Sequence, residues 1–414
     1  MHVVVLGAGV VGATTAYYLA EAGHEVTVLD RQPDVGLETS FANGGLVTPA
    51  TSDSWAAPGT PGKILKWLGC DDAPMLLRLR ALPGMLRWGV EFLANCRSHR
   101  WQANTKATLS LALMSVAELR RLTEAEKLRY DRNPSGLLKL FRDQASMASA
   151  TRAAAIFRDE GVRAEILAAS EAIALEPALA PIADRLSGAV FYPDDESGDA
   201  FKFTQGIAGA ARARGAHFAF CHAILGFDRQ GDRIAAVVTE RGPVRGDVYV
   251  LALGSHSPRV GRSAGLSLPI YPAKGYSITV DAGGWNKGPR IPVADDGLKA
   301  AVTPLGDTLR VAGTVEFAGY DNSLNEARGR MLIQNLAAIL PEYPRGKIRH
   351  WAGLRPLTPS GRPLIGQTPV RNLFLNTGHG PLGWTLAAGS ARLLALIIGG
   401  SALPIAAEPF ALSG

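Results

Sequence analysis

The chain has 414 residues, enough for two or three domains, and its 47% apolar and 19% charged residues are typical of a globular protein and exclude a disordered chain. The net charge of +6 is modest for this length, and no run of Lys and Arg is long enough to follow a nucleic-acid backbone. Nucleic acid is therefore not an expected partner. A mildly basic surface suits anionic substrates or an anionic membrane surface instead.

The cysteines and the chain ends bear on the compartment. Cys70, Cys96 and Cys221 form no C-x-x-C pair and accompany no histidine cluster at zinc spacing, so we expect no metal site and a reducing cytosol. The apolar N-terminus lacks the positive region of a signal peptide. Arg392 and the pair Gly389-Ser390 interrupt the C-terminal apolar stretch, so we expect that the chain does not cross a membrane.

The first predicted elements form a dinucleotide-binding unit. A strand over residues 3–6 leads into the turn Gly7-Ala8-Gly9-Val10-Val11-Gly12, a helix over 13–22 and a strand over 26–29 that ends on Asp30. In such a turn the first glycine allows a sharp exit from the strand, the second lets N–H groups approach a pyrophosphate, and the third lets the helix pack closely on the sheet. Asp30 is placed to accept from ribose hydroxyls. The alternative is a tight turn in an ordinary α/β unit.

Two segments of unusual composition follow. Residues 31–61 are rich in Gly, Pro, Ser and Thr, which favours a backbone that wraps a bound group. Residues 62–101, with Trp55 just upstream, hold Trp67, Trp88 and Trp101 among Leu, Met, Phe and basic residues. This pattern is equally typical of a membrane-interface segment and of a pair of core helices with a basic outer face.

The remaining elements alternate between α/β units and antiparallel strands. Helices are predicted over residues 105–128, 143–160, 199–214, 323–340 and 380–398. Strands are predicted over residues 136–141, 187–192, 216–220, 234–239, 248–254, 267–280, 299–303, 308–313 and 372–376. Because α/β units occur at the start, middle and end, the pattern predicts two interleaved domains.

Near the C-terminus, residues 377–385 form a second glycine-rich turn from a strand into a helix. A helix N-terminus is a favourable place for negative charge, and the flavin ring becomes anionic on reduction, so a second such turn favours FAD over NAD. The alternative is an ordinary glycine-rich turn. His379, within this turn, is placed to contact the flavin or the substrate, and we assign it no acid–base role.

Arg355 is the candidate for substrate binding. It lies between Gly353 and Pro356 on a predicted stiff loop, and its planar guanidinium suits bidentate capture of a carboxylate. A surface salt bridge is the alternative. Tyr276 is placed to add a hydroxyl to the same carboxylate, although core packing is the more common role of a strand tyrosine.

Seven motifs, which occur in consistent order along nearly the whole chain, resemble those of the small subunit of bacterial D-amino-acid dehydrogenases. That group belongs to the wider D-amino-acid oxidase and glycine oxidase flavoproteins. The motifs are residues 5–12, 29–33, 38–43, 55–59, 272–277, 353–356 and 376–385. One departure is that the family tends to carry a Gly-Tyr pair after Pro49, where this chain has residues 50–54 as Ala-Thr-Ser-Asp-Ser, which bears on substrate preference.

The resemblance implies a mixed α/β fold in which a Rossmann-like FAD-binding domain is interleaved with an antiparallel-sheet substrate domain. The expected FAD-binding domain comprises residues 1–62, 196–265 and 345–414, and the expected substrate-binding domain comprises residues 63–195 and 266–344. The FAD would be noncovalent, since no cysteine lies near Arg355. The expected cofactor contacts are Gly7, Ala8, Gly9, Val10, Val11, Gly12, Asp30, Arg31, Thr39, Ser40, Asn43, Gly44, Gly45, Leu46, Gly254, Gly353, Gly378, His379, Gly380, Leu382, Gly383, Trp384 and Thr385.

The implied activity is oxidative deamination of D-amino acids, with Arg355, Tyr276 and His379 at the reacting centre. Electrons would pass to a quinone or a partner protein, or to oxygen in an oxidase. Residues 62–101 are the candidate docking segment of a cytoplasmic protein bound peripherally to the inner membrane. The alternatives are a D-proline or hydroxy-D-proline dehydrogenase, a subunit that only relays electrons through a flavin, and a nicotinamide dehydrogenase.

Overall fold

The computed structural model describes residues 1–67, 70 and 73–412. Its α-helices are α1 (Val10–Glu21), α2 (Thr60–Trp67), α3 (Leu82–Asn95), α4 (Ser98–Ala125), α5 (Gln144–Asp159), α6 (Ala169–Leu175), α7 (Ala200–Ala213), α8 (Ser257–Gly261), α9 (Glu326–Ile339) and α10 (Gly383–Ile398). Its strands are β1 (His2–Leu6), β2 (Glu25–Leu29), β3 (Leu46–Val47), β4 (Met75–Leu77), β5 (Leu137–Phe141), β6 (Glu165–Leu167), β7 (Gly188–Tyr192), β8 (Glu196–Ser197), β9 (His217–Ala219), β10 (Ile224–Gln230), β11 (Arg233–Thr239), β12 (Gly242–Val244), β13 (Val248–Leu251), β14 (Tyr271–Asp281), β15 (Val293–Asp295), β16 (Ala300–Leu305), β17 (Thr308–Phe317), β18 (Ile348–Leu357), β19 (Leu364–Gln367) and β20 (Leu373–Thr377).

The first sheet has the order β19-β20-β13-β1-β2-β9, and all its pairs are parallel except that of β19 with β20. Its central strands are apolar on both faces because α1, α7 and α10 belong to the hydrophobic cluster on one face, while β10 and β11 contribute to the cluster on the other. In parallel strands the carboxyl ends share one edge, so β1, β2 and β13 all end where α1 begins. The three antiparallel strands β10, β11 and β12 form a separate small sheet beside it.

The larger sheet has the order β18-β14-β17-β16-β15-β5-β7-β6, with β4 paired to β17. One of its faces packs on α9, where Ile278 meets Leu332 and Leu336 in a second cluster. The opposite face meets the segment that follows β2. There the hydroxyl of Ser277 donates to the carbonyl of Ala42 at 2.8 Å. This segment therefore lies between the two sheets.

The predicted fold class is confirmed, since parallel and antiparallel sheets alternate along the chain. Some predicted bounds need correction. The helix predicted from residue 105 begins at Ser98, the strand predicted from 267 begins at Tyr271, and the helix predicted from 323 begins at Glu326. Strands β10 and β19 were not predicted, because their short apolar runs alternate too weakly to stand out in the sequence.

Arg355 lies in a strand and not in the predicted loop. Strand β18 pairs with β14 over its whole length, with Arg355 opposite Ala273. Pro356 faces Pro272 across the pair, and a proline is tolerated here because β18 is the edge strand. The boundary expected at residue 345 is therefore misplaced, since β18 follows it in sequence but belongs to the larger sheet.

Residues 62–101 contain the end of α2, the strand β4 and the helix α3, while Leu68, Gly69, Asp71 and Asp72 lie outside the described residues. The expected interfacial role of the tryptophans is wrong for Trp88, which is buried against Phe92 and donates its indole N–H to the carbonyl of Leu357 at 2.8 Å. Instead, aliphatic side chains form the exposed apolar surface of α3. They are Leu82, Leu86, Val90 and Leu93.

The C-terminal apolar stretch forms a core helix. Among the described residues, Gly380–Ile398 has the length and apolar composition that a membrane span requires, and 56% of its apolar window is buried inside the protein. It packs between α1 and α4, which accounts for its apolar composition. Helix α4 thus contributes Leu111 and Leu119 to the cluster around the first sheet, although it lies in the segment expected for the other domain.

Asn372 joins the first sheet to the small sheet and provides a test of this packing. Its buried side chain accepts from the N–H of Ile234 at 2.8 Å and donates to the carbonyls of Ile234 at 2.9 Å and Asp247 at 3.3 Å. Substitution by Ala leaves these buried backbone groups without their hydrogen-bond partner. We therefore expect Asn372→Ala to lower the free energy of unfolding by about 2–4 kcal/mol. Urea denaturation measures this loss. Gln367→Ala, at an exposed amide, is the control and should change it by less than about 0.5 kcal/mol.

Candidate cofactor and substrate site

The turn after β1 is shaped by close contacts that only glycine allows. Gly7 has φ of +108°, and a Cβ there would lie 2.7 Å from the carbonyl oxygen of Ala252, the residue that follows the neighbouring strand β13. A Cβ on Gly12 would overlap the carbonyl oxygen of Gly7. Helix α1 therefore packs directly on β1, with the N–H groups of its first turn at the carboxyl edge of the sheet.

Asp30 is buried at the end of β2. Its carboxylate accepts from the N–H of Ala8 at 2.6 Å and from the N–H of Gln32 at 2.8 Å. Burial raises the pKa of Asp30, and these two hydrogen bonds oppose the rise. A carboxylate has about four lone-pair positions, so two backbone donors leave capacity for ribose hydroxyls.

The segment between the sheets is fixed by hydrogen bonds to both of them. The Oγ of Ser40 accepts from the N–H of Val10 at 3.0 Å, and the hydroxyl of Thr39 donates to the carbonyl of Leu354 on β18 at 2.9 Å. Asn43 accepts from the N–H of Gly45 through its side chain at 2.9 Å. The dinucleotide turn and the strand that carries Arg355 are thus held in one frame.

Glu38, in the same segment, was not singled out from the sequence. It accepts from Arg31 Nη2 and from the Gln32 amide, both at 2.6 Å. Burial alone would raise the pKa of Glu38, but the hydrogen bonds from Gln32 and Arg31 outweigh burial and lower it. Glu38 is thus a carboxylate that positions Arg31 at the edge of the site.

The second glycine-rich turn leads from β20 into α10. Burial lowers the pKa of His379 to about 3, so its imidazole is neutral at neutral pH. In the described part of the chain, His379 Nε2 and Trp384 Nε1 are buried without a hydrogen-bond partner. The hydroxyl of Thr385 accepts from the N–H of Thr48 at 3.1 Å, and the hydroxyl of Thr48 donates to buried Asp195.

The guanidinium of Arg355 lies over a bare stretch of β14. A Cβ on Gly275 would come within 2.5 Å of Arg355 Nε and 2.6 Å of its Cζ and Nη2, so only glycine leaves this space. Burial lowers the pKa of Arg355 to about 10, which still leaves it cationic at neutral pH. Among the described residues it has no hydrogen-bond acceptor or carboxylate partner, so the alternative, a surface salt bridge, is absent there. A cation in this setting is stabilised by an anionic ligand.

Tyr276 does not share the face of Arg355, which corrects the expectation that it assists carboxylate binding. Side chains alternate along a strand, so Tyr276 points to the α9 side while Gly275 lies beneath the guanidinium. Its hydroxyl donates to Glu316, which also faces Lys274 at 3.4 Å. Burial raises the pKa of Tyr276, and the hydrogen bond to Glu316 adds to the rise. Core packing, the alternative, is the observed role.

A single cavity of about 1140 Å³ brings most of the predicted residues together. Its lining includes the predicted residues Gly7, Gly9, Val10, Val11, Asp30, Arg31, Thr39, Ser40, Asn43, Gly44, Leu46, Gly254, Tyr276, Gly353, Arg355, His379, Gly380, Leu382, Gly383, Trp384 and Thr385. Tyr276 adjoins the cavity although its hydroxyl is bonded to Glu316. Four other predicted residues, Ala8, Gly12, Gly45 and Gly378, are not part of the lining. Gly12 and Gly378 act through close backbone packing, since a Cβ on Gly378 would lie 2.8 Å from the side chain of Thr358.

The cavity also has walls that the sequence did not indicate. Thr51 and Asp53 line it, which places the segment after Pro49 at the cavity as the departure from the family pattern suggested. Trp351 lines it on β18, two residues before Gly353, and the alternation of Trp351, Gly353 and Arg355 in the sequence could have revealed this strand face. The cavity extends to the apolar helices α2 and α3.

These features fit FAD. A glycine cradle at the start of α1, an acid at the end of β2 and a second helix N-terminus share one cavity with the guanidinium of Arg355. A cavity of about 1140 Å³ has room for a dinucleotide and a small acid together. In the described part of the chain none of the cysteines lines the cavity. The set of contacts is therefore the one that a noncovalently bound dinucleotide requires.

Comparison with known proteins agrees with this assignment. The model of the FAD dependent oxidoreductase family, DAO, matches residues 2–397, and the chain belongs to this family. It is an FAD-dependent oxidoreductase.

Curated relatives define the group within that family. The chain is 46% identical over 404 residues to a D-amino acid dehydrogenase of Paramagnetospirillum magneticum, covering 97% of this chain and 95% of the relative. It is 45% identical over 401 residues to one of Rhizorhabdus wittichii, covering 97% and 96%. Among solved structures, glycine oxidase from Geobacillus kaustophilus matches with a TM-score of 0.77 at 22% identity, over 99% of this chain and 98% of the other. L-proline dehydrogenase from P. horikoshii matches with a TM-score of 0.78 at 21% identity, over 97% and 95%. These two structures share the fold.

The close packing at Gly12 gives a test of the cofactor assignment. We expect Gly12→Ala to weaken FAD binding by about tenfold or more, because the added Cβ pushes α1 away from β1. The ratio of flavin to protein absorbance after purification, followed by FAD titration, measures this. Gly209→Ala, in α7 with nothing within 4 Å of its Cβ, is the matched control and should keep full FAD content. Equal FAD affinity in both variants would contradict the assignment.

Proposed function

We propose that the protein oxidises D-amino acids to 2-oxo acids and ammonia. The observation that carries the proposal is the guanidinium of Arg355, which has no partner among the described residues and faces the same cavity as the dinucleotide turn. A substrate with a carboxylate beside the carbon to be oxidised matches a cation placed at that point. The D configuration is supported by the names of the relatives, which are 45% and 46% identical to this chain.

Arg355 binds the substrate carboxylate and fixes the direction of the α-carbon. Its position is rigid because β18 pairs with β14 along ten residues on that side. Bound FAD supplies the hydride acceptor, its N5 atom. The substrate reacts with its amino group neutral, after its ammonium proton has passed to water. The side chains nearby are not suited to take that proton, because burial lowers the pKa of His379 and makes its imidazole a weak base, while the hydroxyl of Tyr276 faces the other side of the sheet. The resulting imino acid is hydrolysed by water to the 2-oxo acid and ammonia.

Replacing the guanidinium tests this role. We expect Arg355→Met to raise KM for D-amino acids and lower kcat/KM by about 10²- to 10³-fold, because a buried charge-assisted pair with the carboxylate is lost. Steady-state assays with an artificial electron acceptor measure the change. Arg349→Met, at an exposed arginine of the same strand, is the control and should leave KM within about twofold. An unchanged KM in Arg355→Met would falsify the assignment.

For the electron acceptor, we propose a quinone reached from a membrane surface, with the protein cytoplasmic and peripherally bound. Four side chains support this: Leu79 is 77% exposed, Leu86 66%, Val90 68% and Leu93 53%. On α3 the last three, together with Leu82, fall on one side of the helix at spacings of three and four residues. An exposed apolar stripe of this kind is typical of a helix that lies in a membrane interface.

Charge and the cavity support the same surface. Lys63 and Lys66 of α2 are exposed and would face anionic headgroups, as would the exposed Arg80 and Arg87, which also pair with Asp321 and Glu91. The cavity that holds the dinucleotide turn also reaches Leu86 and other residues of α3. An apolar acceptor could thus enter the site from the lipid without crossing water.

Acidic residues in the stripe should abolish this binding. We expect Leu86→Glu/Val90→Glu to reduce sedimentation with vesicles containing anionic lipid by about tenfold or more, because two charges enter the apolar contact. Flavin content should be retained. The control, Leu225→Glu/Val238→Glu, changes exposed apolar residues of the small sheet and should sediment like the wild type. Equal sedimentation of all three proteins would favour the interpretation of α3 as a helix of the protein core.

A further inference from the structure

Trp351 and Arg355 share one face of β18. Strand alternation places Trp351, Gly353 and Arg355 on the cavity face, and all three line the cavity. The residues on either side of Trp351 face the other way. His350 lies against Gly329 of α9, where a Cβ would come 2.6 Å from its Nδ1, and Ala352 packs in the α9 cluster.

The indole of Trp351 lies down along the strand toward Arg355. A Cβ on Gly353 would come within 2.5 Å of Cζ3 and 2.9 Å of Cζ2 of the indole, so the benzene ring of the indole covers Gly353. In the same way the guanidinium of Arg355 covers Gly275. Two glycines therefore allow two large side chains to lie flat on the sheet.

The two groups are neighbours because the two glycines are partners. Gly275 and Gly353 face each other across β14 and β18, and side-chain positions of such a pair are about 4.5–5.5 Å apart. The edge of the indole therefore adjoins the guanidinium. In the described part of the chain no other aromatic ring stacks on Trp351, and its half-buried surface faces the cavity.

We propose that Trp351 is the specificity-determining wall of the substrate site, which contacts the side chain of the amino acid. The inference rests on the proposed function. When Arg355 binds the substrate carboxylate, the α-carbon and its side chain lie near the indole. The distance is about one spacing between paired side chains of β14 and β18. The indole surface is large and apolar, so contact with it stabilises the binding of apolar side chains. It offers a charged side chain no counter-charge. The enzyme accordingly favours D-amino acids with apolar side chains over D-lysine and D-glutamate.

A substrate series across three variants tests the wall. We expect Trp351→Ala to raise KM for D-leucine and D-phenylalanine by about tenfold or more, with a smaller rise for D-alanine and little change in kcat. Trp351→Phe, which keeps an apolar ring, should restore most of the preference. His350→Ala, on the opposite face of the same strand, should keep the wild-type ranking. A uniform loss for all substrates, or an unchanged ranking in Trp351→Ala, would overturn the proposal.

A binding measurement separates this inference from the proposed function. Benzoate and acetate are carboxylates that do not react, and their binding is followed as a perturbation of the flavin spectrum. We expect Trp351→Ala to weaken benzoate by about tenfold and acetate much less, while Arg355→Met weakens both. If no D-amino acid reduces the wild-type flavin, the proposed function fails. This titration still tests whether Trp351 contacts the ligand bound at Arg355. Equal losses of affinity for benzoate and acetate in Trp351→Ala would overturn the proposed role of Trp351 and leave the proposed function standing.

Discussion

A half-buried cation that faces the cavity, without a counter-ion among the described residues, is the interaction on which the rest of the site depends. Removing a guanidinium from water is costly unless an anion replaces the lost hydration, and nothing among the described residues supplies one for Arg355. The pairing of β18 with β14 holds the group in place, and Gly275 leaves the space beneath it. We propose a carboxylate as the ligand that completes this site, at a position set by the pairing of β18 with β14.

The second constraint is that the dinucleotide turn and the strand that carries Arg355 are held in fixed positions relative to each other. The segment after β2 touches the start of α1 through Ser40, β18 through Thr39 and β14 through the carbonyl of Ala42. A shift of the first sheet against the second would break these contacts together. Because this segment is bonded to both sheets, it fixes the distance and direction between the dinucleotide turn and the strand that carries Arg355.

Sequence alone predicted what depends on local rules. The turn from Gly7 to Gly12 and the turn before α10 were found because glycine and helix spacing act within a few residues. The strand β18 was missed because Gly353 and Pro356 interrupt its apolar alternation, and its pairing partner lies about eighty residues away in the chain. The wrong role for Tyr276 has a related cause, since the face on which a side chain points depends on strand register. Likewise, the sequence does not distinguish the buried Trp88 from the exposed leucines of α3. Trp88 is buried because it packs against strands that are distant in sequence.

The central claim is tested most directly by mixing the purified, flavin-loaded protein with D- and L-amino acids in the absence of oxygen and following the visible absorption of the flavin. The panel includes D-proline and cis-4-hydroxy-D-proline. The account predicts bleaching by D-isomers of primary amino acids, fastest for apolar side chains, and none by their L-isomers. A flavin that no amino acid bleaches would contradict it, as would bleaching confined to the secondary amines.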